Sequence, residues 1–323
     1  MAAPSDLNVV KNPDLKFVFV AGSTASGKSN WALEAAIREN AAIINCDSVQ
    51  AYEGFEIGAA APTAHDRLQA PHFLYNFVKY PEKLTAGKYR QYFLDLITKS
   101  TDHKKFLVVG GTGFYFQALE KGMLAIPAAD PTLVAKYENE IVADGGGLRL
   151  WRLLQEWDPV QAEKISPQDH YRIVRALVVR DSGGRRLSEL MLEKKLQAPE
   201  FPYPFLKTGL KLSRESLRSR VEVRSRQMLD SGLIAEVESL LERGQADWSP
   251  LQSVGYHEVC GYLRGEIPLA DLPARMTVST LQLAKRQRTW FQREQDIHWF
   301  LSDSDSARED FLKMVAGFFN HVH

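Results

Sequence analysis

Apolar positions follow two patterns along this chain. Short continuous runs of β-branched and aromatic residues occur at Phe17-Val18-Phe19-Val20-Ala21, Ala42-Ile43-Ile44-Asn45-Cys46 and Phe106-Leu107-Val108-Val109. Runs this short, ending in glycine or Asp-Ser, predict strands buried on both faces, as in a parallel sheet covered by helices. Between them, apolar positions spread among polar ones, as with Trp31, Leu33, Ala35, Ala36 and Ile37 within 29–38, and predict helices there and at 114–121. Strand, glycine loop, helix is the opening of an α/β fold. In an open parallel sheet the ligand sits beyond the carboxyl ends of the strands, so the loops beginning at Gly22, Asp47 and Gly110 are expected to converge on one site.

From about Gly122 the pattern changes. Pro127, Pro131, Gly145-Gly146-Gly147 and Pro159 punctuate helical stretches at 148–156 and 171–180, with no strand candidate among them. A helical insertion is predicted, closing near Phe201-Pro202-Tyr203-Pro204. A returning strand at 206–212 follows, then helices at 214–231, 233–243 and 273–292 and a short amphipathic helix around 311–319. The organisation expected is a catalytic core of residues 1–121 and 205–323, interrupted by a helical domain at 122–204.

Composition narrows the function classes. With 45% hydrophobic and 25% charged residues the 323-residue chain is ordinary globular protein, which excludes disorder and collagen-like repeats. Forty Lys plus Arg balance forty Asp plus Glu, so the net field will not draw in a polyanion and any nucleic-acid site must come from local clustering. Two clusters exist: Lys211, Arg214, Arg218, Arg220, Arg224 and Arg226 against Glu215 and Glu222, and Lys285, Arg286, Arg288 and Arg293 around Gln287, Trp290 and Phe291. A charge-rich helix is commonly a solvated face, while basic residues interleaved with aromatics also suit a nucleic-acid backbone and stacked bases. Cys46 and Cys260 lack CxxC company, and His170 and His257 lack a second ligand at metal spacing, which argues against structural zinc. Met1 to Lys16 has no apolar run of signal-peptide type, and no stretch approaches the roughly 18 to 20 apolar residues that span a bilayer, so a cytoplasmic protein with no membrane partner is expected.

The strongest chemical signal is Gly22-Ser23-Thr24-Ala25-Ser26-Gly27-Lys28-Ser29, a complete GxxxxGK[ST] P-loop between a predicted strand and a predicted helix. Its backbone N–H groups at a positive helix end would cradle a di- or triphosphate, Lys28 would neutralise it, and Ser29 would offer a hydroxyl to Mg2+. Asp47 at the second strand tip is either a magnesium ligand or proton acceptor, or a turn-capping acid. Gly110-Gly111-Thr112-Gly113 permits close approach to a phosphate and equally suits a tight turn.

In combination these pieces are more specific. The P-loop, Asp47-Ser48-Val49-Gln50 with Tyr52, Pro71-His72, Gly110–Gly113 with Tyr115, Arg172 with Arg175-Ala176-Leu177, Val254-Gly255-Tyr256, and Leu283-Ala284-Lys285-Arg286-Gln287 with Thr289-Trp290 resemble, in order, the tRNA dimethylallyltransferases, over about Lys16 to Phe300. The resemblance implies a P-loop NTPase-like core that holds dimethylallyl diphosphate in place of ATP. It implies transfer of the dimethylallyl group to the exocyclic amine of the adenosine 3′ of the anticodon, in tRNAs reading codons that begin with U. On the same ground Lys28, Thr112 and Arg220 act on the diphosphate, Asp47 takes a proton from the amine, and magnesium binds through Ser29. Contacts to the tRNA anticodon stem-loop are implied for Asp47, Ser48, Val49, Gln50, Thr112, Tyr171, Arg172, Ile173, Val174, Arg175, Gly255, Tyr256, His257, Lys285, Arg286, Gln287, Thr289 and Trp290. The adenosine would leave its stack and enter a channel between core and insertion, and one tRNA stem per channel suggests a monomer. The sequence departs from the family pattern at Ala59 and Ala61, for threonine and lysine, and at Val178, His257 and Leu281, for glutamate and two arginines. The competing readings are a P-loop kinase using ATP and a non-catalytic tRNA-binding relative.

Overall fold

The computed structural model describes residues 14–99, 102–123, 130–197 and 201–321; the stretch 1–13 and Pro127 lie outside them. The strands are β1 (Lys16–Gly22), β2 (Ala42–Asn45), β3 (His72–Phe73), β4 (Lys105–Gly110), β5 (Phe205–Lys211) and β6 (His298–Leu301). They form one sheet in the order β3-β2-β4-β1-β5-β6, with every pairing parallel. The helices before the insertion are α1 (Lys28–Glu39), α2 (Ala64–Gln69), α3 (Ala86–Lys99) and α4 (Gly113–Lys121). The insertion carries α5 (Pro131–Val142), α6 (Gly146–Trp157), α7 (Pro159–Ala162), α8 (His170–Gly183) and α9 (Leu187–Gln197). After β5 come α10 (Arg214–Asp230), α11 (Leu233–Glu242), α12 (Tyr256–Leu263), α13 (Leu272–Phe291) and α14 (Asp305–Asn320).

Continuous apolar runs became strands because both faces of the sheet are covered. Val18 and Val20 of β1 join Trp31 and Ala35 of α1 and Phe311 and Val315 of α14 in one cluster. On the opposite face Phe17 stacks on Phe106 at 5.2 Å between ring centres, and Phe19 meets Phe116 at 5.6 Å and Phe205 at 5.1 Å. The two strands without a sequence forecast, β3 and β6, are the sheet edges, where one flank is unpaired and the apolar run is too short to stand out.

Residues up to Glu120 and from Pro202 onward make one compact unit, and Lys121–Phe201 make another. The helical unit has its own core, with Tyr137, Leu150, Leu154, Ile173, Val174 and Leu177 buried together. A polar network completes it: the Tyr137 hydroxyl donates to Asp181 Oδ2 at 2.6 Å and accepts from Arg180 Nη2 at 2.8 Å. In the sheet unit a second cluster behind β2 gathers Tyr52, Phe55, Trp248, Leu251, Tyr256 and Val259. Among the described residues no helix is long and apolar enough to cross a membrane.

Candidate active site

Strand order creates the site. The chain runs from β1 through α1 to β2 on one flank, whereas after β4 it crosses to β5 on the other flank of β1. Neighbouring β1 and β4 thus send their following segments to opposite sides, which opens a crevice at their carboxyl ends. The P-loop lies there, between β1 and α1. Gly22 is required, since a Cβ would sit 2.8 Å from Ser26 Oγ and 2.9 Å from the Leu210 carbonyl of β5. Gly27 (φ 86°) and Ala25 (φ 61°) are both left-handed, a backbone alternation that turns successive N–H groups inward to form an anion nest. Gly27 also N-caps α1 without a side-chain partner, which leaves the positive helix end open to an anion. The Ser26 hydroxyl is buried inside the loop with no hydrogen-bond partner among the described residues.

Lys28 begins α1, its Nζ 3.4 Å from the Ser23 carbonyl. Burial pulls its pKa from 10.5 down to about 8; the Asp47 carboxylate pushes it back up and the Arg224 guanidinium adds to the fall. Lys28, Asp47 and Arg224 therefore feel one another's charge. Ser29, next on the helix, is exposed.

The loops after β2 and β4 are stitched together. A Cβ on Gly110 would lie 1.9 Å from the Cys46 carbonyl oxygen, so only glycine lets the two strand ends approach. Thr112 N donates to that carbonyl at 3.3 Å, and Thr112 Oγ1 accepts from Ser48 N at 3.0 Å. Asp47 Oδ1 accepts from Val49 N at 2.9 Å, so one carboxylate oxygen shapes the turn. Buried Asn45 holds the strand tip from below through the Asp47 and Leu74 carbonyls, and the Tyr89 hydroxyl donates to the Asn45 carbonyl at 2.8 Å. The capping and catalytic readings of Asp47 thus do not compete, because the turn contact to Val49 N uses Oδ1.

Two later helices close the site. On α10, Arg220 Nη1 is 3.4 Å from where a Gly27 Cβ would be, while its Nη2 donates to the Ser302 carbonyl at 3.4 Å. Arg224, one turn on, is desolvated and feels the Asp47 charge. Sequence reasoning placed Arg224 in a basic cluster and not in this site; its spacing of four from Arg220 was the available signal. On α13, Gln287 Oε1 accepts from the Thr24 N–H of the P-loop at 2.8 Å, and Trp290 packs so closely on Gly113 that a Cβ there would meet its ring at 2.1 Å.

The family model described as IPP transferase matches residues 50–294. The chain belongs to the IPP transferase family. It is 44% identical to a tRNA dimethylallyltransferase of Bdellovibrio bacteriovorus over 92% of this chain and 98% of that protein, and 39% identical to one of Synechocystis over 92% and 95%. Among solved structures, the tRNA isopentenylpyrophosphate transferase of Bacillus halodurans superposes with a TM-score of 0.68 at 30% identity, covering 94% of this chain and 96% of that one. A eukaryotic dimethylallyltransferase described as acting on tRNA gives 0.76 at 26% identity, covering 94% and 78%. The P-loop NTPase-like α/β fold expected from the sequence is the fold of these IPP transferases.

Within this IPP transferase the residues expected to face RNA divide into two sets. Tyr171 is 81% exposed and Arg172 is exposed beside Asp169, both on α8 of the helical unit. On the sheet unit Lys285, Arg286, Thr289 and His257 are exposed and Ser48, Val49 and Gln50 half-buried. Three side chains expected to face RNA are buried. Ile173 and Val174 are core residues of the helical unit, and Tyr256 is fully buried, its hydroxyl donating to Glu236 Oε1 at 2.6 Å and accepting from Ala59 N at 3.1 Å. Apolar periodicity on α8 and the aromatic cluster of Tyr52, Phe55 and Trp248 claim these side chains for packing. The donor types fit a hard divalent cation: the exposed Ser29 hydroxyl and the Asp47 carboxylate would offer oxygen, and an ion kept largely by substrate phosphates and water needs few others. The described residues hold no group of three or more His, Cys, Asp or Glu arranged for a metal.

Proposed function

We propose that this protein transfers a dimethylallyl group from dimethylallyl diphosphate to the exocyclic amine of the adenosine 3′-adjacent to the anticodon, in tRNAs reading codons that begin with U. The observation that carries the reading is the charge arrangement around one crevice: the P-loop ammonium of Lys28 electrostatically coupled to Asp47, with Arg220 against Gly27. Such a site suits a reaction in which an anionic leaving group departs on one side and a proton is lost on the other.

The donor diphosphate lies in the nest of Gly22 to Ser29 and against Lys28, Thr112 and Arg220. As the carbon–oxygen bond to diphosphate breaks, the allyl group gains cationic character and negative charge builds on the leaving group. Fixed positive groups lower that barrier most, since they need no reorganisation when the charge appears. A magnesium ion bound through Ser29 would add positive charge to the diphosphate. The amine nitrogen bonds to the allyl carbon, and Asp47 orients the amine and accepts its proton late, because the amine becomes acidic only once alkylated. The exposed cations Lys285 and Arg286 of α13 contact the tRNA, in a monomeric, cytoplasmic enzyme.

The test combines purified protein, magnesium, labelled dimethylallyl diphosphate and unmodified tRNA. Label on the adenosine beside the anticodon, lost in Lys28→Ala, is the expected outcome. Binding of both substrates without transfer would overturn the catalytic reading in favour of a non-catalytic relative, and protection by ATP alone would favour a kinase.

A further inference from the structure

Gln287 differs from the polar residues Lys285, Arg286 and Thr289 beside it on α13. Lys285, Arg286 and Thr289 are exposed, whereas Gln287 turns inward and is half-buried. Its Oε1 takes the Thr24 N–H at 2.8 Å, a contact between residues 263 positions apart. Its Nε2 lies where a Cβ on Gly111 would come within 2.3 Å, and that same Cβ would be 3.3 Å from the Gly22 carbonyl. One carboxamide is thus wedged between the P-loop after β1 and the loop after β4. These are the two segments whose separation fixes the width of the crevice.

We propose that Gln287 is a positioning residue for the diphosphate site: it sets the P-loop in its binding shape before any substrate arrives and ties that shape to the helix that carries the exposed cations. The role is not RNA contact. A P-loop binds anions only when its N–H groups converge, and convergence requires each peptide plane to be held in a particular orientation. Thr24 is the third residue of the loop, and its N–H is engaged by Gln287; without that acceptor the Ser23–Thr24 peptide is held only at its carbonyl, by Ser26 N at 3.2 Å and Lys28 Nζ at 3.4 Å, and loses the tie that fixes its N–H side. Gly111 completes the device, because any side chain there would expel the carboxamide. The inference rests on the reading of the P-loop as a diphosphate site, and deepens it by assigning what holds the loop.

The experiment measures binding of inorganic diphosphate and of dimethylallyl diphosphate, each with magnesium, by calorimetry on the full chain without tRNA. Leaving RNA out separates the two roles open to Gln287. For Gln287→Ala the Kd of both ligands is expected to rise about tenfold, the order expected for loss of one enclosed hydrogen bond. Gln287→Glu keeps the acceptor for Thr24 but adds negative charge, so it should weaken binding as well, and the loss should lessen as pH falls through the carboxylate range. Gly111→Ala pushes the carboxamide out while leaving residue 287 a glutamine and should reproduce the effect. The double variant Gly111→Ala/Gln287→Ala should be about as weak as Gln287→Ala alone, because the methyl then meets only the Gly22 carbonyl, at 3.3 Å. In the transfer assay Gln287→Ala should raise the KM for the donor with the KM for tRNA within about threefold. Unchanged diphosphate affinity in Gln287→Ala, together with a raised KM for tRNA, would overturn the proposal. If Gln287→Ala does not fold, an unchanged Kd in Gly111→Ala does the same. Failure of the unaltered protein to bind either diphosphate would instead defeat the underlying reading of the P-loop.

Discussion

Lys28 should make donor binding fall with pH in a range where most phosphate sites are flat. Its ordinary pKa of 10.5 is drawn down to about 8 by burial, so the free protein loses the ammonium near pH 8. At pH 9 about one molecule in ten keeps the proton, and the affinity for dimethylallyl diphosphate should be about tenfold weaker than at pH 7. Binding at pH 8.5 should take up about three-quarters of a proton, because the bound diphosphate restores the charge. Folding stability has the opposite sign. Below pH 8 native and unfolded chains both carry the proton, and the native state bears a cost of ~3 kcal/mol at most, reduced because Lys28 keeps partial exposure. Between about pH 8 and 10.5 the native state sheds the proton first and that cost is relieved, so this group raises stability as pH rises. Calorimetric titrations from pH 6.5 to 9.5, in buffers of differing ionisation enthalpy, read both affinity and proton uptake. Asp47→Asn removes the charge that holds the pKa up and should move the break below 8, whereas Arg224→Gln removes a lowering charge and should move it higher. Affinity that stays flat to pH 9.5, or breaks that move in the opposite directions, would refute the reasoning.

Three further outcomes follow from the same geometry. Asp47→Asn keeps an oxygen to accept from Val49 N, so the turn survives; at pH 7 turnover in the transfer assay should fall at least about a hundredfold, and a few-fold loss would reduce Asp47 to a turn former. Gly110→Ala places a methyl against the backbone of Cys46, where no side chain can give way, and should cost at least ~3 kcal/mol in denaturant unfolding, whereas Gly317→Ala, with open space in α14, should gain up to ~1 kcal/mol. Tyr256→Phe removes a hydroxyl that serves both Glu236 and Ala59 N, and should cost ~1–3 kcal/mol in the same measurement while leaving diphosphate affinity unchanged.

The P-loop was readable from sequence because it is local: one contiguous stretch supplies the glycines, the lysine and the flanking elements. Strands β1, β2 and β4 were readable because two covered faces leave unbroken apolar runs, and α1, α4, α10, α11 and α13 start and end within one residue of their expected positions. What escaped depends on contacts between distant segments. Nothing in the polar triplet Lys285-Arg286-Gln287 says that the third member turns inward to a loop 263 residues away. Burial likewise separated Tyr256, Ile173 and Val174 from the exposed residues beside them, although a motif treats all of them alike.

The departures from the family pattern fall at places of unequal consequence. Val178 is 1% exposed in the core of the helical unit, where a carboxylate would need a partner and a valine needs none, so this change favours packing without stripping the surface. The loop bearing Ala59 and Ala61 is anchored from behind: the Glu236 carboxylate accepts from the N–H groups of Glu56, Ile57 and Gly58, and Gln50 Nε2 donates to the Ala59 and Ala60 carbonyls. Side chains from elsewhere hold that loop by its backbone, and Ala59 also packs against the cluster of Phe55 and Tyr256. His257 is exposed, its ring nitrogen 3.2 Å from Gln252 Oε1. None of these positions is among the contacts that set the P-loop, Asp47, Thr112 or Arg220. On the proposed function the substitutions leave in place the groups assigned to the diphosphate, beside Gly22 and Gly110, where a Cβ would clash, and Gln287, which accepts from the Thr24 N–H.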